Sequence, residues 1–419
     1  MATKKGFAEL KRSVVSIVRV GKGDDESVRA GLSALLESLG GLESIVPPGT
    51  KRVLVKPNLM MGKPWDTGIT VHPALIEQLV IEIRKLGVPV IVGEGAGWGC
   101  KSDDAFRATG VDALCRRLGV PLVDFKRGKG VRVPVPGGTE LKDVLVDEVV
   151  PGCDFIISLA KMKTHCETIV SLSLKNMKGL ITEDKERLRF HLLNVNRCLI
   201  DLNRVFRPHL AVVEGIVALE GIGPLLPGKP KPLGLLVGGA DPLSVDAVCA
   251  RIMLIDPKSV RHLAYAAEAG IGRIDERDIE IVGESVQSVT PDSYEYPPRS
   301  LEGLSPSERI KIVDGNPCSN CIASIASYLH GYIDRNLIEQ ATHTVEILIG
   351  GKAMSQGKGN EVAMGNCLKR FEGEIPFVSG CPPPSDAYLE LIARALKGDF
   401  RPSTVNAEGK VVDLSGPSV

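Results

Sequence analysis

The sequence predicts an α/β protein, with a large domain built on a mostly parallel sheet followed by a smaller α/β unit. Three observations point there. Short apolar runs alternate with helix-periodic segments through the first 285 or so residues. Those runs are apolar on both faces, as in strands covered by helices on two sides. Aromatic residues make up only 4% of the chain against a hydrophobic fraction of 43%, which favours α/β layers over a β-sandwich.

In chain order, VVSIVRV (14–20) reads as a strand, and SVRAGLSALLESLG (27–40) has helical spacing and a terminal Gly. KRVLVKPNLM (51–60) is a strand, HPALIEQLVIEIRKLG (72–87) a helix with Pro73 near its start, and VPVIVGEGAG (88–97) a strand ending in a Gly turn. A helix over 104–119 leads to the strand VPLVDF (120–125). CDFIISLAKMKTH (153–165), HLAVVEGIVAL (209–219) and PLGLLVGGAD (232–241) are further strands, the last followed by the helix LSVDAVCARIMLI (243–255). The Ser- and Pro-rich stretch from 286 to 308 lacks periodicity and reads as a linker. Beyond it come the strand IKIVDG (310–315), a long helix around 322–333, the strands TVEILIGG, EVAMG and PFVSG, and the helix SDAYLELIARALKG (385–398). The domains expected are 1–287, a linker at 288–308, a second unit at 309–400 and a loose tail at 401–419.

The chain has 419 residues, with Lys+Arg and Asp+Glu balanced at 51 each, so no global field steers it toward nucleic acid or a membrane surface. The basic N-terminus has only a five-residue apolar run, too short for a signal peptide, and no apolar stretch is long enough to span a bilayer. A cytoplasmic location is expected. There the ten cysteines are more often metal ligands or buried thiols than disulfides.

Four cysteines stand apart from the rest. Cys318 and Cys321 form a C-x-x-C after the strand IKIVDG, Cys367 follows EVAMGN, and Cys381 follows PFVSG. In a parallel sheet the carboxyl ends of strands share one edge, so these sequence-distant thiols converge. Four thiolates suit a [4Fe–4S] cluster. Zinc is the rival, though it commonly uses two C-x-x-C knuckles where this chain has one, and four unliganded core thiols are the plain alternative. Pro382-Pro383-Pro384 opens a helix at Ser385, whose N-terminus would favour a negatively charged cluster.

The second concentration of chemistry spans 161–191. Lys161, Lys163 and His165 alternate at the end of a strand, and Lys175, Asn176 and Lys178 sit where a helix would begin. Together they suggest a site for an anionic small molecule, with Lys161, Lys163 and His165 as catalytic candidates. The charges at 183–189 read as a solvated face. Lys56, Asn58, Glu94, Glu214 and Asp241 also follow apolar strands, and Lys56, Asn58, Glu214 and Asp241 join Lys175, Asn176 and Lys178 as candidate substrate-binding residues. Asp246 either extends that carboxylate set or bonds the start of its own helix. Gly93-x-Gly95-x-Gly97 departs from a phosphate-loop pattern, and Glu94 within it would repel phosphate.

VKPNL (55–59), DFIISLAKMKTH (154–165), LSLKNMKGL (172–180), Lys185 with His191, VVEGIVALEGIGP (212–224) and GGADPLSVDAV (238–248) resemble the family called domain of unknown function 362, over roughly residues 50–285. The GNC…GCPPP arrangement resembles the iron–sulfur-associated tails of some members. A more distant likeness, in architecture and in a Lys/His-rich site, is to the nickel-pincer lactate racemase group. The paired histidines such a cofactor needs are not evident, with His72, His165 and His191 the plausible contributors. The resemblance supplies no reaction. The residues suggest an iron–sulfur redox enzyme acting on an anionic small molecule, with an electron-transfer partner and no nucleic-acid or membrane partner. The alternatives are a non-enzymatic electron carrier or scaffold, and a non-redox isomerase or lyase with a structural cluster or zinc.

Overall fold

The computed structural model describes residues 12–414 except 22, 98–99, 225–227, 298–304, 319–320, 323, 326–328, 330–332, 334, 382, 384 and 407–409. Strands β1 (Ser13–Arg19), β2 (Val53–Pro57), β3 (Val90–Glu94) and β4 (Leu122–Asp124) come first. A separate hairpin pairs β5 (Gly130–Pro134) with β6 (Asp143–Asp147). Then follow β7 (Phe155–His165), β8 (Ile169–Ser171), β9 (Leu210–Glu220), β10 (Lys229–Gly239) and β11 (Ile279–Gly283). The large sheet has the order β11-β1-β10-β9-β7-β2-β3-β4, with β8 paired to β7. β10 runs antiparallel to both its neighbours and β8 antiparallel to β7; every other pairing is parallel. The α/β class and the mostly parallel sheet are as the alternation of apolar runs implies.

Helices cover both faces. On one, Val53, Val55, Ile157 and Leu159 pack with Leu32, Leu35, Leu75 and Leu79 of the helices Asp25–Ser38 and Pro73–Lys85. On the other, Val213 and Val237 pack with Val245 and Val248 of Pro242–Ile252, while Leu54 and Ile156 meet Leu199 and Leu202 of Val195–Val205. Helix starts are set locally: Asp24 accepts from Ser27 N at 2.9 Å, and His72 Nδ1 accepts from Ala74 N at 3.1 Å ahead of Pro73.

The segment expected to link the two units belongs in part to the first. Val286–Val289 is a helical turn, the buried Tyr294 hydroxyl donates to Leu219 O at 3.0 Å, and Glu295 pairs with Lys229 at 2.9 Å. Burial of Tyr294, which no periodicity announces, holds this stretch against the large sheet. Residues 298–304 of the expected linker lie outside the described residues.

The second sheet is wholly parallel: β12 (Ile310–Asp314), β13 (Val345–Ile349), β14 (Glu361–Met364) and β15 (Phe377–Val378), in that order. The helix Ser385–Leu396 lays Tyr388, Leu391 and Ile392 on it. Much of the helix expected around 322–333, with Pro382 and Pro384, lies outside the described residues. The expected loose tail instead carries an antiparallel pair, β16 (Ser403–Val405) with β17 (Val411–Asp413). Arg394 and Arg401 anchor it through ion pairs to Asp413, the Arg401 pair at 3.1 Å.

Candidate functional site

The carboxyl ends of β2, β3, β7 and β9 gather polar side chains that are buried where strands normally bury aliphatics. Lys56, Lys161 and Lys163 are each only 1% exposed, so each needs partners. Lys56 Nζ donates to Glu94 Oε2 at 2.6 Å and to Asn176 Oδ1 at 2.7 Å. Asn176 in turn donates to Lys56 O and Ser158 Oγ, both at 3.0 Å. Lys161 Nζ lies 2.6 Å from Glu214 Oε1 and donates to Trp65 O at 2.9 Å. The other Glu214 oxygen accepts from His72 N, and the His72 ring packs on Trp65 with centroids 4.3 Å apart. Burial pulls Lys56 and Lys161 down from the usual lysine range, and the paired carboxylates oppose it.

Lys163, on the same side of β7 as Lys161 and His165, has only neutral acceptors: Asn58 Oδ1 at 2.8 Å, Met60 Sδ at 3.1 Å and Ile69 O at 3.1 Å. Burial, and then the charges of Lys175 and Lys161, hold it well below the usual range. Burial likewise keeps His165 neutral, and its Nδ1 accepts from Glu167 N at 3.0 Å across the turn into β8. The expected alternation of these three residues is therefore present. Lys161 and Lys163 are built into the sheet, however, and the more accessible chemistry lies beside them.

That chemistry is a relay of Lys178, His191 and Glu167. Lys178 Nζ hydrogen-bonds His191 Nε2, and His191 Nδ1 stands 2.6 Å from Glu167 Oε2. Burial alone would push the Glu167 carboxyl up, but the interaction with His191 and the charges of Lys178 and Lys175 outweigh it and hold it low. Burial pulls His191 down, and it lowers Lys178 to about 7 with help from Lys175. An imidazole oriented by a carboxylate and facing an amine that titrates near neutrality is the arrangement of a proton-transfer site. Lys175, lowered by burial to about 8, makes no hydrogen bond or ion pair to any described residue. Asn58, Met60, Lys175, Lys178 and His191 stay partly open to solvent and form the mouth.

Glu167 and Arg187 are the buried side chains of this site that sequence reasoning passed over. Arg187 was grouped with solvated charges, yet it is buried and donates to Gly95 O at 3.0 Å, Ile181 O at 2.6 Å, Gly179 O and Ala96 O. Its i, i+4 spacing to His191 was the available signal, since both lie on one face of the helix Asp184–Leu192. Lys185–Glu183 and Arg189–Glu186 are surface pairs, as expected. The loop after β3 turns carbonyls to Arg187, and its Gly95 N–H goes to Glu94 Oε1 at 2.8 Å, so it is not a phosphate cradle. Gly179 is required for space: a Cβ there would fall 2.0 Å from Glu94 Oε1 and 2.6 Å from Lys56 Nζ.

Asp241 does not join this site. Because β10 is antiparallel, Asp241 emerges at the opposite edge, where it caps Pro242–Ile252 through Leu243 N at 3.1 Å and accepts from Arg273 N at 3.0 Å. It lines a separate cleft of about 1180 Å³ with Arg207, His209 and Arg273. Asp246 bonds a helix start, though not its own. It accepts from Ser173 N at 2.8 Å and Leu174 N at 2.9 Å, and burial raises it to about 8.

In the second unit, Cys318, Cys367 and Cys381 follow the carboxyl ends of β12, β14 and β15, and Cys321 lies in the core below. Asn366 laces the turns, donating N–H to Gly380 O at 2.9 Å and accepting from Gly380 N at 2.6 Å. Cys321 is raised first by its hydrogen bond to Cys318, then by burial and the other thiols. Burial and then Cys318 raise Cys381, to about 11, and Cys367. None of the ten cysteines forms a disulfide, and among the described residues no group of three His, Cys, Asp or Glu is arranged to hold a metal ion. This edge meets the site directly. Cys381 N–H donates to His191 O at 3.1 Å, and Asn366 Nδ2 donates to Leu192 O and Leu193 O, both at 3.3 Å.

Residues 53–251 match the family model described as Domain of unknown function (DUF362). A thylakoid-associated protein of Synechocystis sp. is 27% identical over 263 residues, covering 61% of this chain and 79% of that protein. The lactate racemase apoprotein from Thermoanaerobacterium thermosaccharolyticum overlays with a TM-score of 0.39 at 12% identity, over 59% of this chain and 58% of that one, under two thirds of its length. No described helix is long and apolar enough to cross a membrane.

Proposed function

Taking residues 53–251 as a member of the DUF362 family, we propose that this protein is an iron–sulfur enzyme that carries out a redox reaction on a small anionic molecule. The observation that carries the reading is the hydrogen bond from Cys381 N–H to His191 O, which joins the thiol-bearing edge to the helix end that supplies the proton relay. Lys175 and Lys178 would grip the anion, and His191 with Glu167 would hold or release a proton at Lys178 Nζ. Arg187 supplies fixed positive charge beneath, where low dielectric strengthens it, and Lys163 stands beside it as a buried amine held well below the usual range. Cys318, Cys321, Cys367 and Cys381 would hold a [4Fe–4S] cluster; their donor chemistry and their mutual electrostatic reach suit it, and the cluster would supply one-electron transfer. An electron-donor protein is then an expected partner, and a cytoplasmic setting suits cysteines that form no disulfide.

Anaerobic purification with metal analysis tests this. About four irons per chain, broad absorbance near 400 nm, and iron lost in Cys381→Ala but kept in Cys249→Ala are expected. One zinc per chain and a colourless protein would remove the redox role and leave a non-redox reading of the same basic site.

A further inference from the structure

The fixed charges around the basic site do not balance. Three carboxylates face it, and each is already engaged: Glu94 with Lys56, Glu214 with Lys161, and Glu167 with His191, all at 2.6 Å. Nearby Asp184 and Asp124 are taken by Lys126 at 2.8 Å and Arg127 at 3.7 Å. Once an arriving anion draws protons onto the two amines at the mouth, five cations face those three carboxylates, namely Lys56, Lys161, Lys175, Lys178 and Arg187; Lys163, pulled well below the usual lysine range, and the buried imidazoles are not counted among them. Arg187 spends its donors on main-chain carbonyls, and Lys163 spends its own on Asn58, Met60 and Ile69. None of these acceptors cancels a charge. Lys178 has an imidazole and the Phe190 face, 5.7 Å from its Nζ, and Lys175 has nothing. Charges gathered in low dielectric are costly without counter-charge. The excess is about two positive charges, and its outermost members are the two amines at the mouth.

We infer that the ligand of this site is a dianion, such as a phosphate ester or a dicarboxylate, with one charged end held between Lys175 and Lys178. This rests on the anionic-substrate reading above and narrows it, since a monocarboxylate would leave half of the excess unmatched.

Binding of sulfate, malonate and acetate to the full-length protein, followed by calorimetry at constant ionic strength, tests the inference with no need for a loaded metal site. Sulfate or malonate is expected to bind at least about tenfold more tightly than acetate. Lys175→Met should lose about tenfold for the dianions, while Arg273→Ala, at the opposite sheet edge, should bind as the unaltered protein does. Lys175→Gln serves if the Met variant does not fold, and the ranking of the three anions on the unaltered protein decides the valence by itself. Acetate binding as tightly as sulfate and malonate would overturn the dianion and leave the anionic-substrate reading standing. Binding of none of the three, or full binding by Lys175→Met, would overturn both.

Discussion

Lys161 and Glu214 face each other at 2.6 Å with neither side chain exposed, so each is the other's main counter-charge. Lys161→Met should cost about 3–5 kcal/mol in urea unfolding because it strands a buried carboxylate, and Lys161→Met with Glu214→Leu should recover most of it. Lys175 and Lys178 give a different signature. Their folded pKa values, about 8 and about 7, lie below the ordinary 10.5. Between those values and 10.5 the unfolded chain binds more protons than the folded one, so stability rises with pH across that window. The unfolding midpoint of ligand-free protein should climb from about pH 7 toward about pH 10, and Lys178→Met should flatten the lower part of the climb. A midpoint that falls over this range would contradict the burial of these amines.

The helix Asp184–Leu192 ties three regions together: Arg187 holds the loop after β3, His191 completes the relay, and Leu192 packs on the core of the second unit. Arg187→Lys keeps the charge but cannot reach four carbonyls. It should cost about 2–4 kcal/mol and raise amide exchange over residues 181–192 ahead of the sheet. Gly179→Ala should be worse than its size suggests, given the overlap with Glu94 and Lys56. At this scale the sequence was a partial guide. The period of two in β7 put Lys161, Lys163 and His165 on one side, because alternation is a property of the strand itself. The direction of β10 is set by hydrogen bonding to β9 and β1, not by its own residues, and so Asp241 was expected at the wrong edge. Arg187 was hidden because its neighbours at 183, 185 and 189 are exposed charges.

For the whole molecule, the two units meet with their strand ends turned toward each other. Asn366→Ala removes the side-chain bonds to Leu192 O, Leu193 O and Gly380 N. It should leave the folding of each sheet intact, yet raise proteolysis between 286 and 309 and weaken iron retention if the cluster is present. The position of Cys318, Cys367 and Cys381 past the carboxyl ends of parallel strands was legible, because each follows an apolar run of its own. Their meeting with His191 was not, since nothing local in either segment encodes a partner some 190 residues away.

The contact between Cys381 and His191 is made of main-chain atoms alone, an amide hydrogen on one side and a carbonyl oxygen on the other. Side-chain identity at either position is therefore free to vary without undoing the joint; only proline at 381 deletes the donor. Covariation between the two positions would be silent even among relatives that share the arrangement. The same fact makes the pair convenient to dissect. Cys381→Ser and His191→Gln exchange a sulfur for an oxygen and an imidazole for an amide while the scaffold that aligns them stays in place, so any deficit they produce belongs to the atoms replaced.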